Sequence, residues 1–168
     1  NGANWINDVT GGRRDEEILD VVSEFKCPFV ITHSRGSSIN MNNLTKYDDF
    51  LVDIIHSLES LTKKALSKNV SKDKIIWDPG IGFSKDTKQN IEILRNIPFF
   101  KKFDFPLLIG ASRKRFIGEI LNEPNPKERD IGTLAISCLC SQQNIHLVRV
   151  HNVKINHQVL KVADQIFR

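Results

Sequence analysis

The sequence predicts a parallel α/β fold of the (β/α)8 barrel type, present as about five strand–helix units. Three observations predict it. Short β-branched and apolar runs alternate without a break with longer stretches whose apolar residues recur every three to four positions. The short runs are apolar almost throughout, as strands covered on both faces are. Five units in 168 residues are about 34 residues each, the spacing of a TIM barrel of ~250 residues. On that spacing the barrel is expected to be incomplete, about three strand–helix units short. Residues 1–168 are expected to form one N-terminally truncated domain, because Asn1-Gly2-Ala3 runs straight into a strand and no linker follows. A doubly wound open sheet is the rival, but it would open on a Gly-rich first turn, and none is present.

Taken in order, a first strand from about Trp5 to Val9 carries Asn7 and Asp8 near its end. The helix from about Asp15 to Phe25 places Ile18, Val21, Val22 and Phe25 on one face, with Asp15 as N-cap. Pro28 to Thr32 is the second strand and ends in His33-Ser34-Arg35-Gly36. Ser37 to Thr45 reads as a loop. A long helix follows from about Tyr47 to Ser67, its stripe running from Tyr47 and Phe50 through Ile54 and Leu58 to Leu66. Ile75-Ile76-Trp77 is the third strand, stopped by Asp78-Pro79-Gly80-Ile81-Gly82-Phe83. Pro79 fixes φ, and Gly80 and Gly82 admit conformations that a Cβ blocks, so the backbone turns sharply with a carboxylate at its tip. Asp78 there either meets a ligand or satisfies its own turn, and this stretch alone leaves both readings open.

A helix through Asn90, Ile91, Leu94 and Ile97 leads to the fourth strand, Pro106 to Ala111. Ser112-Arg113-Lys114-Arg115 opens a short helix to about Leu121. A break rich in Pro and Asn precedes a longer helix, roughly Glu128 to Gln143. The fifth strand is His146 to His151, and the last helix turns Ile155, Val159, Val162 and Ile166 inward.

Composition narrows the partners. The chain is 40% hydrophobic and 26% charged with a net charge of +4, a globular profile. Its pI near 9.0 comes from scattered lysines rather than basic runs interleaved with aromatics, so nucleic acid is not the expected partner. No apolar run approaches the ~20 residues of a membrane span. Cys27, Cys138 and Cys140 make an odd number with no CxxC and read as reduced core thiols, which points to the cytoplasm.

Function in a barrel sits at the carboxyl ends of the strands. Those ends are Asn7 and Asp8; His33 and Arg35; Asp78; Ser112, Arg113 and Lys114; Arg149 and His151. All five carry charged or hydrogen-bonding groups, where chance would give one or two. In Leu147-Val148-Arg149-Val150-His151, alternation puts Arg149 and His151 on one face and the valines on the other. An inward Arg needs an anion, either a neighbouring carboxylate such as Asp8 or a ligand phosphate. The short extra helix after the fourth strand suits the second, since helix N–H groups and Ser112 can receive an anion.

Ile6-Asn7-Asp8-Val9, Asp78-Pro79-Gly80-Ile81-Gly82-Phe83, Ser112-Arg113-Lys114 and Arg149-Val150-His151 resemble, in order, the successive motifs of the dihydropteroate synthase family, and Gly132-Thr133-Leu134-Ala135 fits as well. The resemblance covers the whole chain, from the family's fourth strand onward. It implies a transferase of folate biosynthesis, the target of sulfonamides and sometimes part of a multifunctional enzyme. The reaction condenses 6-hydroxymethyl-7,8-dihydropterin diphosphate with 4-aminobenzoate to give 7,8-dihydropteroate and pyrophosphate. By the same resemblance Asn7, Asp78, Lys114, Phe83 and Gly110 bind the pterin, Arg149 and His151 the diphosphate, and Ser112 and Arg113 the 4-aminobenzoate. Lys114, Arg149 and His151 carry the catalytic roles. Mg2+ is implied on the substrate diphosphate, with no metal ligand in this part of the family's length. A homodimer in the cytoplasm or, in some eukaryotes, the mitochondrion is implied too. Thr32 departs from the family, where many bacterial relatives have Met, and His33 is read as either a site or a scaffold residue. A pterin-binding methyltransferase domain would share the Asn and Asp but have no use for Ser112-Arg113-Lys114 with Arg149 and His151. A non-catalytic remnant is the other alternative.

Overall fold

The computed structural model describes residues 2–37 and 39–168. Five short parallel strands come in chain order: β1 (Ile6–Asp8), β2 (Phe29–Thr32), β3 (Ile75–Asp78), β4 (Leu108–Ile109) and β5 (Leu147–Val148). β1, β2 and β3 lie side by side, β4 pairs with β5, and a parallel bridge from Trp77 to Leu107 joins the two groups into one arc. Between and after the strands run α1 (Glu17–Phe25), α2 (Phe50–Ser67), α3 (Thr87–Arg95) with the one-turn α4 (Ile97–Phe100), α5 (Arg115–Leu121), α6 (Asp130–Gln142) and α7 (Val153–Phe167). No helix among the described residues is long and apolar enough to cross a membrane.

Strand residues divide by parity, as a period of two requires. Phe29, Ile31, Ile75, Trp77, Leu107 and Ile109 share the main core with Leu19, Val22, Ile54, Leu58, Ile93 and Ile97 of the helices. The residues between them, Val30, Ile76 and Leu108, form a separate cluster that Leu147 joins. Two residues further along each strand, the same parity reaches Thr32, Asp78, Gly110 and Arg149, and on β1 it selects Asn7, the register partner of Val30. The functional face is therefore the continuation of an apolar layer. Trp77 anchors the other face: it is fully buried, stacks on Phe105 at 4.6 Å and donates Nε1–H to Thr62 Oγ1 at 2.9 Å.

Several elements depart from expectation. α1 buries Leu19 and Val22, while Val21 is 39% and Phe25 70% exposed, so only part of the expected face turns inward. In α7 Val162 and Ile166 are exposed, and Asn156 and Ala163 face inward instead. That seam is polar: Ser137 donates to Asn156 and Ser141 to Asp164, a pattern that hydrophobic periodicity does not register. Asp15 accepts from Glu17 N at 3.0 Å, but the N-cap position belongs to Glu16. α5 opens at Arg115 rather than Ser112, since Arg113 has φ +58° and Lys114 is extended. Asp86 and Gln89 close a capping box on α3, a polar signal that apolar spacing does not carry.

Candidate functional site

The turn after β3 is fixed from several directions. Asp78 is fully buried, its Oδ1 accepts from Gly80 N at 2.8 Å, and its carbonyl accepts from His33 N at 2.9 Å. Gly80 has φ +74°, and a Cβ there would stand 1.9 Å from His33 O, so any other residue forces the backbone to shift. Beneath the turn lies Lys85, buried, with Nζ at 2.8 Å from His33 Nδ1, 3.0 Å from Gly80 O and 2.9 Å from Phe83 O. Three acceptors match the three protons of an ammonium. Burial lowers the Lys85 pKa, and the charge of Asp78 opposes that shift. His33 is pushed down to about 2 by burial first and by Lys85 and the arginines next, so the imidazole is neutral. His33 is thus scaffold, and Lys85 and Asn90 (which accepts from Gly82 N at 2.6 Å) are site-forming residues that motif reading missed. A lysine within a turn of glycines and apolar residues was the available signal. Thr32 is buried with its hydroxyl unpartnered.

Opposite Asp78, Arg149 reaches across the arc. It donates Nη1–H to Asn7 Oδ1 at 2.7 Å and Nη2–H to Asp78 Oδ2 at 2.8 Å. Gly110 makes room for it: a Cβ would lie 2.4 Å from Nη2. Asn7, Asp78, Gly110 and Arg149 are thereby brought together. Asp8 is not the carboxylate that Arg149 meets. It folds into its own loop, accepting from Thr10 N, Thr10 Oγ1 and Gly12 N. Burial works to raise the Asp8 pKa, but these bonds and Arg13 outweigh it and hold the carboxyl low.

The ammonium of Lys114 stands 4.1 Å over the Phe83 ring, a cation–π contact. Burial lowers the Lys114 pKa, Asp78 opposes the shift and Arg149 adds to it. Ser112 Oγ is 3.2 Å from His151 N and 3.0 Å from His151 Nδ1, so Ser112 is spent on orienting His151. Arg113 forms a fork with Asp130, Nε to Oδ1 at 2.7 Å and Nη2 to Oδ2 at 2.8 Å, with Asn152 on the same carboxylate. Asn7, Phe83, Lys114, Arg149 and His151 line one open cleft of about 750 Å³ at the carboxyl ends of the strands, with Gly110, Ser112 and Arg113 in its wall. Among the described residues no three His, Cys, Asp or Glu side chains converge as a metal site.

A cleft of this construction at the mouth of a parallel arc defines a class, and comparison with known proteins agrees. Residues 1–151 match the family model described as pterin binding enzyme, and the chain belongs to that family. Within it, the chain is 42% identical over 167 residues to the dihydropteroate synthase of Synechocystis sp., across 99% of this chain and 58% of that protein. The crystal structure of dihydropteroate synthase from Clostridium difficile in the presence of pteroic acid aligns with TM-score 0.90 and 36% identity, over 99% of this chain and 61% of that one. The Thermus thermophilus synthase in complex with 6HMPPP aligns with TM-score 0.92 and 30% identity, over 99% and 66%. The chain spans about three fifths of the length of these relatives. The five-strand arc is part of their TIM barrel.

Proposed function

We propose that this chain forms the pterin and diphosphate side of a dihydropteroate synthase site, joining 6-hydroxymethyl-7,8-dihydropterin diphosphate to 4-aminobenzoate with release of pyrophosphate. One observation carries the reading: Arg149 links a fully buried carboxylate, Asp78, to the strand-end cleft that it lines with Asn7, Lys114 and His151. A pterin edge presents an exocyclic amine beside a ring N–H, two donors that a carboxylate accepts as a fork. Asn7 can donate and accept on the same ring, Lys114 can meet the ring carbonyl, and Phe83 walls the pocket. Arg149 and His151 hold the diphosphate. Ser112 and Arg113 flank the place of 4-aminobenzoate, Ser112 acting chiefly through His151.

The chemistry asks for no nucleophilic side chain. The bond from the pterin methylene to the diphosphate oxygen lengthens, its electrons leave with pyrophosphate, and the electron-rich dihydropterin stabilises the methylene cation. The arylamine nitrogen then bonds to that carbon and loses a proton. The residues contribute alignment and cationic stabilisation of the departing oxygens. Mg2+, which the family resemblance implies, is a hard cation suited to phosphate oxygens. The described residues gather no cluster of three possible metal ligands, and no step is assigned to the ion. Three free thiols favour a reducing compartment, and a homodimer belongs to the same reading.

Pyrophosphate release by the full-length polypeptide, followed with and without each substrate, tests this. Release that depends on both the pterin diphosphate and 4-aminobenzoate is expected. Binding of the pterin diphosphate without any release would refute the synthase reading.

A further inference from the structure

We propose that Arg149 and the edge of the pterin ring compete for one set of acceptors, Asn7 Oδ1 and Asp78 Oδ2, and that Lys85 is the fixed counter-charge that lets Arg149 change partners. The inference rests on the function proposed above and couples its two half-sites.

A guanidinium is planar and carries N–H donors side by side on one edge. The amine and ring N–H of a pterin present the same arrangement. Arg149 holds Asn7 Oδ1 at 2.7 Å and Asp78 Oδ2 at 2.8 Å, and the other Asp78 oxygen already serves Gly80 N. A pterin that forks onto Asp78 therefore needs the oxygen that Arg149 holds. The two partners differ in freedom. The Arg149 side chain is 38% exposed and that of Asp78 0%, so the arginine can swing and the carboxylate cannot.

Swinging away would strip a buried carboxylate of its ion partner, a costly change unless another charge remains. Lys85 is that charge. Its three donors are taken by His33 Nδ1, Gly80 O and Phe83 O, all within 3.0 Å. None goes to Asp78, so Lys85 acts on it through space and occupies neither of its oxygens. Lys85 is a positioning residue: it fixes the turn and steadies the carboxylate. The freed guanidinium has a partner only when the ligand brings phosphate, and Lys114 and His151 line the same cleft to receive that anion. A diphosphate ester satisfies both halves of the exchange, whereas a bare pterin must displace Arg149 and offer it nothing.

Calorimetric titration of the full-length polypeptide with a bare pterin and with pyrophosphate tests the exchange. Arg149→Ala is expected to tighten the bare pterin roughly 2- to 5-fold, since an internal competitor is gone, and to weaken pyrophosphate. Lys85→Gln keeps donors for the turn without the charge. In that background Arg149→Ala should weaken the pterin, because Asp78 has then lost two of the cations that face it and keeps only Lys114. This reversal of sign is one that a merely structural lysine would not produce. Weaker pterin binding by Arg149→Ala with Lys85 present, or the same sign in both backgrounds, would overturn the proposal. If Lys85→Gln does not fold, the single Arg149→Ala result decides. Wild-type protein that binds no pterin would remove the proposed function itself, a distinct result.

Discussion

At the scale of single residues the site is a set of side chains whose partners dictate their chemistry. Ser112 shows how one structural contact changes a role. Its hydroxyl lies within hydrogen-bond distance of both His151 N and Nδ1, so it sets the imidazole at the edge of the cleft. Ser112→Ala should weaken pyrophosphate binding roughly 5-fold, about 1 kcal/mol for a lost hydrogen bond, while pterin affinity stays within twofold. Titration with each ligand checks this, and equal losses for both would mean the loop had collapsed. His33 gives a pH signature. Burial and the Lys85 charge depress its folded pKa to about 2, against 6.5 for the unfolded chain. Below pH 6.5 the unfolded state binds a proton that the folded state refuses, so stability falls as pH falls. From pH 7 to pH 5 the loss from this group is about 2 kcal/mol, or roughly 4–8 °C in melting temperature. Thermal melts across that range should show the slope, and His33→Asn should flatten it.

At the scale of elements, the strand ends were legible because parity is rigid. Once Ile75-Ile76-Trp77 is a strand, Asp78 must follow Ile76 on one face, and the same rule places Arg149 above Leu147. The helix faces were less legible. α7 packs on α6 through Ser137–Asn156 and Ser141–Asp164, so apolar spacing misplaces half of its inner face: Ile155 and Val159 are half-buried, but Val162 and Ile166 are exposed. The start of α5 was hidden by the positive φ of Arg113, which no rule for a non-glycine residue anticipates. The β3 turn is where element and site meet. Gly80→Ala would drive a Cβ to 1.9 Å from the His33 carbonyl at φ +74°, where neither side is a flexible side chain. A loss of about 3 kcal/mol, seen as a fall of roughly 6–12 °C in melting temperature, is expected. Gly82→Ala is the contrast, since its nearest neighbour is the movable Lys114 side chain. It should disturb ligand binding more than stability.

At the scale of the molecule, five parallel strands bring together residues from sequence positions 7 to 151, and only the arc makes them neighbours. The order of the strand-end motifs could be read from the sequence, and so could their common cleft, because parallel strands align their carboxyl ends. The pairing within the cleft could not. Arg149 joining Asp78 and Asn7 depends on the room above Gly110, a distance across the arc that no linear pattern encodes. The central claim is that this cleft grips a pterin through Asp78. Calorimetric titration of the full-length polypeptide and its Asp78→Asn variant with a pterin tests it most directly. The exchange turns one acceptor into a donor facing a donor and removes the charge, so affinity should fall by roughly 100-fold, about 3 kcal/mol, with the fold retained by circular dichroism. Unchanged affinity in a folded Asp78→Asn variant would contradict the account and leave Asp78 as a turn residue alone.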